Sequence, residues 1–145
     1  MTGYTLAVSK TGDFPSVNYK IKTVKFYRTF RNTSSYKFRI KVNNSSGTII
    51  SQALDAQTGG GQESVTTISS TYYTNSNFTN INSLYLYGID GSSGELKSGS
   101  YIKLVIEWQV SDVATKISSI TSSVACGGSV TVSGTAAYST YSHKL

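Results

Sequence analysis

The chain has 145 residues with a formal net charge of +6, and it carries one cysteine, Cys126, and one histidine, His143. That length suits a single domain that buries its own core without staples. One cysteine excludes an intramolecular disulfide, and one histidine excludes a histidine-based metal cluster; its place two residues from the C-terminus argues against a Ser/His/Asp triad.

In chain order, residues 4–8 read as a short first strand, and Asp13-Phe14-Pro15-Ser16 as a turn holding the only proline. Lys20 to Arg31 is a long β-prone run whose alternation slips near Thr23-Val24, the signature of a β-bulge. After an Asn32-Thr33-Ser34-Ser35 turn, Tyr36, Phe38, Ile40 and Val42 alternate with Lys37, Arg39 and Lys41. The two runs predict a hairpin. Asn43 to Gly47 is a turn into Thr48–Leu54, and Gly59-Gly60-Gly61 is a loop. Residues 64–73 read as a Thr/Ser/Val/Ile strand, and 75–82 as a polar loop anchored by Phe78 and Ile81. Residues 83–89 form a strand with Leu84 and Leu86 opposite Tyr85 and Tyr87.

The strongest period-two signal lies at residues 100–110. Ile102, Leu104, Ile106, Trp108 and Val110 share one parity, so this is the central core strand. From about Asp112 the chain becomes rich in Ser, Thr, Ala and Gly, with Ser129–Val132 β-prone. The reading is an all-β fold, an antiparallel β-sandwich of jelly-roll-like form. Residues 1–112 make the sandwich and 113–145 a Ser/Thr-rich C-terminal extension, either one added strand or a linker.

Charged residues are 14% of the chain, against about a quarter in average globular domains. A surface hydrated through hydroxyls and amides leans toward extracellular or virion proteins. No apolar run approaches the ~18 residues of a membrane span, and the N-terminal residues lack a leader pattern. Synthesis in a cytoplasm, without membrane insertion, is the expectation.

Residues 78–104 run Phe78-Thr-Asn-Ile81-Asn-Ser-Leu-Tyr-Leu-Tyr87-Gly88, a Gly-rich turn, then Leu96-Lys-Ser98-Gly99-Ser100-Tyr-Ile-Lys-Leu104. This stretch resembles the final strands of β-sandwich domains in bacteriophage virion proteins of the tail-fibre and head-decoration type. The resemblance implies a virion component that works by assembly, with a homo-oligomer and other virion proteins as partners. It identifies no active site.

Three surface features carry candidate chemistry. Lys20, Lys22, Lys25, Arg28, Arg31, Lys37, Arg39 and Lys41 supply eight positive charges in 22 residues without an acid. Of these, Lys25, Arg28, Arg31, Lys37, Arg39 and Lys41 are read as a basic docking face for an acidic neighbour, ahead of nucleic acid. Tyr72, Tyr73, Asn77, Tyr85 and Tyr87 form an aromatic and amide set suited to a subunit interface, or to a host-surface glycan. The turn from Asp90 to Glu95 has oxygen ligands at short spacing but not the order of a calcium loop, so an ordinary turn is preferred. Asp55 and Glu63 flank the triple-glycine loop and are the one carboxylate pair worth testing for glycoside hydrolysis. No spacing singles it out, so no catalytic residue, cofactor or metal is assigned.

Overall fold

A computed structural model describes residues 3–16, 18–29, 37–55, 62–89, 99–110, 114–124 and 130–131. Its strands are β1 (Tyr4–Ala7), β2 (Ser9–Gly12), β3 (Lys20–Thr29), β4 (Lys37–Val42), β5 (Leu54–Asp55), β6 (Ser64–Thr67), β7 (Ser83–Gly88), β8 (Tyr101–Gln109), β9 (Thr115–Val124) and β10 (Val130–Thr131). A 3-10 turn at Ser70–Tyr72 and a short helix α1 (Asn75–Thr79) lie between β6 and β7.

These strands make an all-β antiparallel sandwich. One sheet has the order β1-β7-β4-β5, and the other β10-β9-β8-β3-β6, with β2 also paired to β9. β2 and β10 share the far edge of β9 end to end, opposite Ser118–Thr121 and Ser123–Val124 respectively. The chain changes sheets after β1, β3, β5, β6 and β7.

The core follows from parity. Phe38, Ile40, Leu84 and Leu86 of the first sheet face Val24, Phe26, Leu104 and Ile106 of the second, all fully buried. Phe26 and Phe38 meet edge to face across the interior at 6.0 Å. Each such side chain withdrawn from water contributes about 1.5–3 kcal/mol. Trp108 is 0% exposed, held edge-on by Tyr19 at 5.1 Å and Phe14 at 6.4 Å. Its indole N–H donates to Ser118 Oγ at 2.8 Å, which satisfies its one polar atom. The phase slip is real: register shifts between Ile21 and Thr23, leaving Lys22 as the extra residue opposite the Trp108–Glu107 step.

Two expectations are corrected. β3 and β4 are not a hairpin: β3 pairs with β8 and β6, whereas β4 pairs with β7 and β5 in the other sheet. Each strand carries a phenylalanine on its inward parity, Phe26 and Phe38, and these meet from opposite sheets across the core instead of side by side. The sandwich also does not stop at residue 112. β9 pairs with the whole of β8, from Tyr101↔Ser123 to Gln109↔Thr115, and Ile120 is fully buried. Its Ser and Thr residues suggested a tail because hydroxyls favour solvent. Here Ser118, Ser119, Thr121 and Ser122 are small enough to be buried beside larger neighbours.

Smaller differences follow the same logic. The run 64–73 is strand only to Thr67 and then turns, because Ile68 and Tyr73 fold back onto β3. The loop at 75–82 contains α1, and its two anchors Phe78 and Ile81 are both fully buried. Asn75 Oδ1 accepts from Ile21 N–H while Asn43 Nδ2 donates to Asn80 O, so this segment spans one end of the sandwich.

Candidate functional site

Strand alternation places Lys37, Arg39 and Lys41 of β4 on the outside of the first sheet, because Phe38, Ile40 and Val42 point inward. The same rule sends Tyr85 and Tyr87 of β7 outward, away from Leu84 and Leu86. β4 and β7 are hydrogen-bonded neighbours, with Arg39 opposite Tyr87 and Lys41 opposite Tyr85. Half of the basic set and half of the tyrosine set therefore form one surface.

Register is fixed at one end by Asn43, whose backbone adopts a left-handed φ of 65° that asparagine tolerates. Its Oδ1 accepts from the N–H groups of Asn82 and Ser83 at 2.7 and 3.1 Å. Ser83 Oγ donates back to Asn43 O at 2.6 Å. These bonds lock the start of β7 to the end of β4, so the tyrosines cannot slide relative to the cations.

A Cβ on Gly3 would collide with the Oη and Cζ atoms of Tyr85, so the tip of that ring occupies, just before β1, space that a side chain would fill. Tyr87 is inclined to Tyr85 by only 23°, with centroids 6.4 Å apart. Lys41 Nζ sits 4.8 Å over the Tyr87 ring and donates to Ser45 O at 2.7 Å. Such an exposed cation–π contact is worth about 0.5–1 kcal/mol. Arg39 Nε is enclosed without a hydrogen-bond partner. Lys37 lies 3.9 Å from Asp55, so the acid on this face is at its β5 side.

The remaining predicted residues lie elsewhere. Arg28 is 5% exposed and is not part of a docking face. It shares the inward parity of Val24 and Phe26, where its Nε donates to Asp55 O at 2.6 Å and its Nη1 to Thr66 Oγ1 at 2.8 Å. Burial pushes its pKa down, and the Asp55 charge partly restores it. Arg28 therefore ties β3 to β5 across the open side of the sandwich. Lys25 is exposed, but on the outside of the second sheet.

Tyr73 is a structural residue: its Oη accepts from Val24 N–H at 2.9 Å and donates to Ile68 O at 2.8 Å. Tyr72 is half-buried against the core, and Asn77 is half-buried on α1. Neither adjoins the Tyr85–Tyr87 pair along a strand. Arg31, the Asp90–Glu95 turn, the triple glycine, Cys126 and His143 lie outside the described residues. Glu63 is exposed before β6.

Gly3, against which Tyr85 packs, is the position that sequence reading passed over. The available signal was the absence of a side chain beside a strand whose neighbour carries outward tyrosines. Comparison with protein-family models, curated proteins and solved structures gave no match to the chain.

Proposed function

We propose that the chain is a non-enzymatic structural module of a phage or virus-like particle, and that it docks and recognises surfaces through the outer face of the β1-β7-β4-β5 sheet. The observation that carries this reading is the face itself, where two tyrosines and three cations stand on rigid paired strands. Aromatic residues and arginine are the types enriched at interfaces, and an aromatic surface of this kind calls for a partner. The virion part of the reading is supported by the resemblance of residues 78–104 to phage sandwich domains. Partners are then further copies of the chain and other virion proteins.

A second reading, a glycan- or receptor-binding surface, is favoured by one specific observation. The tip of the Tyr85 ring fills the space that a side chain at Gly3 would take, and Tyr87 is inclined to it by 23°. Two aromatic rings are thus held on one outer face of the kind a sugar stacks on.

Light scattering after size exclusion, at low and high salt, tests the docking reading. A defined oligomer that Tyr85→Ala or Tyr87→Ala dissolves supports subunit docking on this face. Persistence in high salt assigns the contact to the tyrosines, and dissociation assigns it to Lys37, Arg39 and Lys41. A monomer in both salts, together with absence of the chain from purified particles, overturns the assembly role.

A further inference from the structure

We propose that the ligand of this face is an acidic polysaccharide, a pyranose chain bearing carboxylates, and that Arg39 selects it. The proposal rests on the glycan-recognition reading above and names its ligand class. Three observations converge on it. Tyr85 and Tyr87 are two nearly parallel rings at 6.4 Å, side by side along one strand, so they offer stacking places to successive sugar rings of a linear polymer. The cations stand on the adjacent strand in register with the rings, Arg39 opposite Tyr87 and Lys41 opposite Tyr85, and the Lys41 ammonium reaches over to the Tyr87 ring.

The third observation is the state of those cations. Arg39 is half-buried, and its enclosed Nε meets no acceptor within the protein, so the guanidinium is fixed in place with its hydrogen bonding unmet on that atom. A carboxylate supplies two acceptor oxygens that match the planar guanidinium fork. Lys41 Nζ is held over the Tyr87 ring and donates to Ser45 O, and a carboxylate on a sugar stacked at Tyr85 would draw it across. Asp55 stands beside Lys37 at the β5 edge, so a polyanion is steered toward the β7 side where the rings are. Neutral sugars would use the rings and leave Arg39 unpaired. Simple anions would use Arg39 and leave the rings bare.

Titration calorimetry on the intact chain with three probes separates these cases: polygalacturonate (acidic pyranose chain), dextran (neutral pyranose chain) and polyphosphate (anion without rings). The expected result is binding to polygalacturonate well above both other polymers. Arg39→Gln should weaken it by about tenfold or more, the scale of one charge-assisted hydrogen-bond pair. Tyr87→Ala should weaken it comparably, and Lys25→Gln, which removes the same charge from the other sheet, should leave it unchanged. Unaltered Trp108 emission in every variant shows that the fold is kept.

Equal binding of dextran and polygalacturonate with Tyr87 still required would overturn the acidic ligand and leave glycan recognition standing. Polyphosphate binding as well as polygalacturonate, or a loss with Lys25→Gln equal to that with Arg39→Gln, reduces the effect to net charge and overturns the proposal. No binding of any probe overturns it and the glycan reading together. In that case, loss of an oligomer in Tyr87→Ala would still uphold docking.

Discussion

Arg28 shows how a single side chain is reassigned by its surroundings. Its charge invites a surface role, yet it occupies an inward position and spends its donors on Asp55 O and Thr66 Oγ1. Arg28→Ala should cost about 2–3 kcal/mol in urea unfolding, because buried acceptors lose charged donors. Arg28→Lys should recover only part of that, since an ammonium lacks the fork that reaches both acceptors. Ser122 is the opposite case. It lies opposite Ile102 in the β8–β9 pair, and its buried Oγ has no partner. Ser122→Ala removes an unsatisfied polar atom at almost no change in volume and should raise stability by about 1 kcal/mol in the same assay. A loss of stability there would show that the hydroxyl is satisfied in solution.

At the scale of elements, β9 completes the second sheet. It covers β8 along its whole length, supplies Ile120 to the core and Ser118 to Trp108, and carries β2 and β10 on its other edge. A chain ending at residue 112 loses all of this and leaves the edge of the most apolar strand unpaired. Such a truncation should show no cooperative thermal transition by circular dichroism and should aggregate. A folded, soluble 1–112 fragment would mean that β9 is an accessory. Sequence reading placed the boundary there because hydroxyl-rich strands lack the apolar alternation that marks burial. The structure buries them because serine is small, and β2 and β8 flank β9 on both sides over Ser118–Thr121.

For the molecule as a whole, one core joins the two sheets. Leu6 and Leu86 from the first and Trp108 and Ile120 from the second belong to the same buried cluster. Unfolding should therefore be a single transition. The sole tryptophan reports on it, since Trp108 is fully buried in the folded state. Its native emission should be blue-shifted and resist acrylamide quenching, and its urea transition should coincide with that of the backbone signal. Separate midpoints would show that the sheets melt independently. Pairing of β2 with β9 and of β1 with β7 joins distant parts of the chain, so folding should be slow for the chain's size, in milliseconds to seconds.

The amino-acid sequence alone determined that the protein is built of strands, and which side chains leave the core. Alternation is a local property of the backbone, so Phe38 and Leu86 were legible as inward, and Lys41 and Tyr85 as outward, before any partner strand was known. The bulge near Thr23 was legible for the same reason. Only the tertiary structure decided adjacency. Every strand edge offers the same N–H and C=O groups, so nothing local states that β4 pairs with β7 and not with β3. That one long-range choice merged a basic stripe and a tyrosine stripe, read apart as two features, into a single face. A second long-range pairing, of β1 with β7, laid Tyr85 over a glycine eighty-two positions away in the chain.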